Sequence, residues 1–118
     1  MSAGGGGGPR GLRILVVGGL TRLDPYYRDL RDVPDGVEID AVYVDCPSLE
    51  ARADAADALV LVASHVSHPA AAKVRNVARR HGKPLASATG PSVSRVRASI
   101  ASVLEAALRS RKLSRTAA

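Results

Sequence analysis

The chain has no phenylalanine and no tryptophan, and its aromatic side chains are Tyr26, Tyr27 and Tyr43. A core without large rings fills with Ala, Val, Leu and Ile, and its elements lie close together. It also offers few flat surfaces on which a base or a flavin ring could stack. One cysteine, Cys46, excludes an internal disulfide and suits a reducing compartment. No stretch approaches the roughly 20 apolar residues that cross a bilayer. The longest apolar runs, Ile14–Val17 and Ala58–Ala63, have strand length. Gly4–Gly8 stands where a signal peptide would carry its apolar stretch, so a cytoplasmic protein without a membrane partner is expected.

Acidic residues are scarce in one half only. Residues 1–57 carry six Lys or Arg and ten Asp or Glu, whereas residues 58–118 carry eleven and one, for the net charge of +6. Such asymmetry fits pairing between copies, as in a homodimer, or a basic face that meets a polyanion. It equally fits soluble helices that wear arginine on their wet side.

What is present fits one domain of 118 residues that is 46% hydrophobic. Residues 1–11 read as a disordered Gly-rich leader, 12–110 as a single α/β domain and 111–118 as a basic, fraying tail. Arg13–Gly19 is an apolar run closed by two glycines, a buried strand. Asp24-Pro25 offers an N-cap and a first-turn proline, predicting a helix to about Asp32. Val37–Val44 begins with strict alternation and suits an edge strand. Ser48 is placed to cap a short helix over Leu49–Ala55. Ala58–Ser64 is continuously apolar and reads as a central strand. His68-Pro69 opens a third helix that Gly82 closes. Pro84–Ala88 is a short strand, and Ser92 caps a last helix with inward Val93, Val96, Ile100, Val103, Leu104, Ala107 and Leu108. Four strands alternating with four helices predict a parallel sheet of order 2-1-3-4, flavodoxin-like or Rossmann-like, with helices on both faces.

In such a sheet ligands bind beyond the carboxyl ends of the strands, where the strand order reverses. The residues expected there are Gly18, Gly19, Thr21 and Arg22 after strand one; Asp45 and Cys46 after strand two; Ser64, His65, Ser67 and His68 after strand three; and Ser87, Thr89 and Ser92 after strand four. The glycine pair allows close backbone approach to an anion, and Arg22 adds a fork of donors. Neither a P-loop nor a dinucleotide fingerprint is present, because the Gly-Lys-Ser/Thr run and the third glycine are missing. Two glycines after a strand also make an ordinary tight turn. The Ser64–His68 segment holds two imidazoles that could bind a ligand or shuttle protons. With Cys46 they would form a Cys/His/His set of the kind zinc uses, although no zinc-module spacing occurs. Alternatively, His68 caps the third helix and His65 is a plain loop residue. The basic residues Lys73, Arg75, Arg79, Arg80, Lys83, Arg95 and Arg97 could meet phosphates. Without a recognition motif or nearby aromatics, nucleic acid is disfavoured as a partner.

Four short stretches carry a family likeness: Val17-Gly18-Gly19; Ala56-Asp57-Ala58-Leu59-Val60; Val66-Ser67-His68 followed by Lys73 and Val74; and Arg80-His81-Gly82-Lys83-Pro84. From Arg13 to about Ile100 the chain resembles the uncharacterised bacterial family named domain of unknown function 2325. The resemblance implies a small Rossmann-like α/β domain of bacterial origin. It also suggests a link to iron or redox stress, since some members look to accompany hemerythrin-like or iron-related domains. It brings no agreed activity and no known cofactor. Where the family leads us to expect a His-Gly type segment after the second strand, this chain has Asp45-Cys46-Pro47. The expected function is a binding or regulatory module for a small anion, a phosphate or nucleotide, at Gly18, Gly19, Thr21, Arg22, Ser64, His65, Ser67, His68 and Thr89. The alternatives are an enzyme or redox- or metal-linked protein using His65 or His68 with Cys46, and a dimeric scaffold or nucleic-acid-associated protein using the basic helices.

Overall fold

The computed structural model describes residues 12–29 and 36–117, the last seven of them as helical backbone alone. The leader lies outside the described residues. The elements alternate as the hydrophobic pattern dictates: β1 (Leu12–Val17), α1 (Asp24–Arg28), β2 (Val37–Val42), α2 (Leu49–Ala55), β3 (Ala58–Val62), α3 (His68–His81), β4 (Leu85–Ala88) and α4 (Val93–Ala117). Short 3-10 turns at Thr21–Leu23 and Ala63–His65 follow β1 and β3. The strands form a parallel sheet of order β2-β1-β3-β4. Both the order and the edge position of β2 match the expectation.

The reason lies in the side-chain period. Buried on both faces, β1 and β3 place successive residues in two separate cores. Ile14, Val16, Val60 and Val62 pack with Tyr27 of α1 and with Val96, Ile100, Val103 and Ala107 of α4. Leu15, Val17, Leu59 and Leu61 pack with Leu49 and Ala53 of α2 and Val74 and Val77 of α3. The two basic helices therefore cover opposite faces of the sheet. The basic surface expected to span α3 and α4 is divided between those faces.

Alternation in β2 is read the same way. Val37 and Ile39 pack against the α1–α4 core. Glu38 and Asp40, registered beside Arg13 and Leu15, turn to the other face. There Glu38 meets Arg13 at 3.3 Å and Asp40 meets Arg52 of α2 at 2.6 Å. β2 ends at Val42 rather than Val44, and Val44 is exposed.

Helix ends follow the sequence in part. The backbone at Gly82 is left-handed with φ 64° and closes α3. Ser92 Oγ accepts the Arg95 amide at 3.3 Å. At α3 the cap is Ser67, whose Oγ accepts the Ala70 amide at 3.3 Å, and not His68, which is the first helical residue. Ser48 makes no side-chain cap. Asp24 does not cap α1 either; it lies inside the first turn and its carboxylate faces elsewhere. α1 ends at Arg28, short of the expected Asp32, because the backbone at Asp29 leaves the helical region with ψ of 88°; residues 30–35 lie outside the described residues. The helical backbone of α4 runs through the basic stretch to Ala117.

At the amino ends of the strands, Asp57 and Arg13 clasp each other. The Asp57 amide donates to the Arg13 carbonyl at 2.7 Å, and the Asp57 carboxylate accepts the Arg13 amide at 2.8 Å. Lys83 Nζ donates to the Ala56 carbonyl at 2.6 Å. Two of the four short stretches, around Asp57 and around Lys83, thus align the starts of β1, β3 and β4. They stand at the opposite end of the sheet from the rim described next.

Candidate functional site

At the carboxyl ends of β1 and β3 the chain needs two sharp departures in close quarters, and glycine permits both. Gly18 and Gly19 have φ of 97° and 105°, values that L side chains rarely adopt. The Gly18 amide donates to Val42 of β2 at 2.8 Å. The Gly19 amide donates to the His65 carbonyl at 3.1 Å. A Cβ on Gly18 would lie 2.6 Å from that carbonyl oxygen and 3.0 Å from Val66 Cβ. The glycine pair and the Ser-His loop are therefore neighbours, held in direct backbone contact.

The same bonds change the role of the glycines. Both amides are occupied, so neither cradles an anion as a phosphate-binding loop would. Gly19 also has the Tyr27 ring against it: a Cβ there would lie 3.1 Å from the ring and its hydroxyl. Tyr27 is fully buried. Its hydroxyl accepts the Leu20 amide at 3.2 Å and donates to the Pro91 carbonyl, so one side chain staples the β1 loop to the loop before α4. Sequence reasoning left Tyr27 unassigned. The available signal was its size: in a chain without Phe or Trp, a tyrosine is the largest group that can fill a gap beside glycines.

What remains open on the rim is side chain. Thr21, Arg22, Ser64, His65, Ser67 and His68 are all exposed. His65 Nδ1 lies 2.8 Å from Ser64 Oγ. Ser67 is engaged as the α3 cap. Asp45, after β2, pairs with Lys73 of α3 at 2.9 Å and ties that corner shut. Thr89 accepts a hydrogen bond from Arg95 in the loop after β4. Cys46 is half-buried, with Sγ 3.5 Å from Ser48 Oγ. Among the described residues no group of three His, Cys, Asp or Glu side chains is placed to hold a metal ion. Cys46, His65 and His68 are not gathered into one.

Asp24 accepts from Tyr43 and pairs with Arg28 at 2.9 Å. The Tyr43 hydroxyl first, and the Arg28 guanidinium next, hold the Asp24 carboxyl below its ordinary value. Burial and the Asp24 carboxylate push the Tyr43 hydroxyl the opposite way, above its ordinary value. A lowered carboxyl favours the folded chain above the unfolded value near pH 4, and that contribution disappears on acidification. A raised phenol favours the fold below about pH 10 and loses its contribution at higher pH. Urea midpoints of the wild type should fall below pH 4, and Asp24→Asn should flatten that fall; an unchanged acid limb would contradict the assignment.

The architecture defines a small doubly wound α/β domain whose strand order reverses at the β1–β3 rim. Residues 13–103 match the model of an uncharacterised protein family conserved in bacteria, domain of unknown function 2325, and the chain belongs to that family. No curated protein and no solved structure matches the chain. No helix among the described residues is long and apolar enough to cross a membrane.

Proposed function

We propose that the protein is a binding or regulatory module that takes a small anion, a phosphate or the phosphate end of a nucleotide, on the β1–β3 rim. The observation that supports this reading is the Gly19–His65 backbone bond, which holds the loop after β1, continuing into Thr21 and Arg22, against the Ser64–His68 loop after β3. Arg22 brings a planar fork of donors, and the described residues provide it no carboxylate partner. The imidazoles and the Ser64 and Thr21 hydroxyls supply further donors. The glycines act as spacers that bring two loops together, and recognition rests on side chains.

Thermal unfolding in the presence of inorganic phosphate, a nucleoside monophosphate and a nucleoside triphosphate tests this. A ligand at 100 times its dissociation constant adds about 2.7 kcal/mol of stability. Stabilisation by at least one of the three, abolished by Arg22→Ala or His68→Ala, is the expected result. No stabilisation by any of them at millimolar concentration removes the proposal.

A further inference from the structure

The two edges of the sheet are finished differently. On β2 the edge is guarded. The Ile39 carbonyl accepts Arg28 Nη1 at 3.2 Å, and the Ala41 amide donates to Asp40 Oδ1 at 3.0 Å. Glu38 and Asp40 add charge along the strand. Proteins blunt exposed edges in these ways. On β4 nothing comparable occurs among the described residues. Its four residues, Leu85, Ala86, Ser87 and Ala88, carry no charge, and no described strand lies beyond it. The Leu59 amide donates to Pro84, and β3 and β4 are registered Leu59 with Leu85 through Val62 with Ala88. In a parallel ladder with that phase, the amides and carbonyls of Leu85 and Ser87 point away from β3. Among the described residues they meet no other partner.

The flanks of this edge have a definite chemistry. On one face lies α3. Its Lys73 pairs with Asp45, and its His81 pairs with Asp54 of α2 at 3.2 Å, so that flank turns toward α2. The opposite flank, with Ala71, Arg75 and Ala78, turns toward β4 by helical spacing, and Arg79, one turn on from Arg75, donates to Asn76 Oδ1 at 2.6 Å. Arg75 and Arg79 are exposed, and neither meets a carboxylate among the described residues. On the other face lies α4. Its Arg97 reaches the Asp29 carbonyl at the end of α1, so its opposite flank, with Ser99 and Ser102, turns toward β4. That flank is small except at its β4-loop end, where Arg95 donates to Thr89 Oγ1; Ala86 and Ala88, which belong to the α4 side of the sheet, are small too.

We propose that the free edge of β4 accepts an acidic extended segment of a partner protein as a fifth strand. Main-chain bonds to Leu85 and Ser87 would hold the segment, and its alternate side chains would divide by face. Those on the α3 face meet Arg75, with Arg79 one turn beyond it, and this positive flank selects Asp or Glu. Those on the α4 face meet alanine and serine, which leaves room for Val or Ile, with Arg95 at the Thr89 end adding a further positive charge. Self-pairing of two β4 edges would bring two arginine sets together, which disfavours a second copy. The absence of aromatic side chains from this edge disfavours single-stranded nucleic acid, which binds by stacking.

A fluorescent octapeptide of alternating Glu and Val is the probe, read by anisotropy on the full chain, with amide hydrogen exchange at residues 85–88. Saturable binding with protection of the Leu85 and Ser87 amides is expected. Ser87→Pro removes an outward amide without touching the β3 ladder and should weaken binding at least tenfold. The surface pair Arg75→Glu and Arg79→Glu should do the same, with circular dichroism confirming the fold in both variants. A Lys-Val octapeptide should not bind. Failure of the Glu-Val peptide to bind overturns the proposal, as does binding that survives Ser87→Pro. An oligothymidylate that binds better than the peptide would make the edge a nucleic-acid surface instead. Self-association that Ser87→Pro abolishes would make its occupant a second copy.

Discussion

Gly18→Ala should be among the most damaging single-methyl additions possible in this chain. The new Cβ would sit 2.6 Å from the His65 carbonyl oxygen, and that oxygen is backbone, already fixed by the Gly19 amide. No rotamer change relieves such a contact, because both partners belong to the main chain. The backbone at Gly18, with φ of 97°, is itself unfavourable for alanine. Steric displacement and strain together put the loss at about 3 kcal/mol or more. In a domain of this size that lowers the melting temperature by roughly 10 °C. Gly82→Ala is the matched control. Its φ is also positive, at 64°, but nothing lies within 4 Å of its Cβ position. It should lose only about 1 kcal/mol, the left-handed penalty alone. Urea denaturation of the two variants separates steric contact from backbone preference. Equal losses would show that the β1 and β3 loops are not packed as described.

Tyr27 carries the second large effect. Its ring fills the space beside Gly19, and its hydroxyl joins the Leu20 amide to the Pro91 carbonyl. Tyr27→Phe keeps the packing and leaves those two groups without their partner. Removing one partner of a buried hydrogen bond costs about 1–3 kcal/mol. Tyr27→Ala also opens a cavity at the join of α1, β1 and α4, and should lose about 3–5 kcal/mol. The ordering matters more than the values. If Phe is neutral while Ala is severe, the tyrosine serves by bulk alone and the hydroxyl staple carries no weight. If Phe loses a substantial part of the Ala effect, the staple holds the rim together. Chemical denaturation of both variants decides between these.

Much of the architecture is written in residue order. Continuous apolar runs in β1 and β3, against alternation in β2, are enough to put β2 at an edge and to order the sheet. Gly82 and Ser92 sit where helix-end chemistry requires them. The site was legible only as a set of loops. Strand order places the residues after β1 and β3 side by side, and the Gly19–His65 bond realises that adjacency. Bonding partners are another matter, since they depend on distances of a few tenths of an ångström between chain segments far apart in sequence. Nothing local marks the Gly18 amide as taken by Val42, or Asp24 as a partner of Tyr43 and Arg28 in place of a helix cap. The division of the arginines between two faces follows from sheet topology and was missed because charge was summed along the chain. Likewise, Ser67 outcompetes His68 as the α3 cap because a short hydroxyl reaches the Ala70 amide from the residue before the helix.

The two halves of the charge distribution are used differently within the domain. Acidic residues of β2 are consumed by Arg13 and Arg52 within the domain. The arginines on the outer flank of α3 meet no carboxylate among the described residues, and Arg79 bonds only the Asn76 side-chain oxygen there. Changing Arg22 should leave edge binding intact, and changing Arg75 with Arg79 should leave anion binding intact.

The most direct test of the rim is a titration of the isotopically labelled chain with inorganic phosphate, followed residue by residue through amide chemical shifts. Saturable shifts concentrated at residues 20–22 and 64–68, and lost in Arg22→Ala, are the predicted result. Shifts that instead centre on Arg75 and Arg79, or a spectrum that does not change, would contradict it.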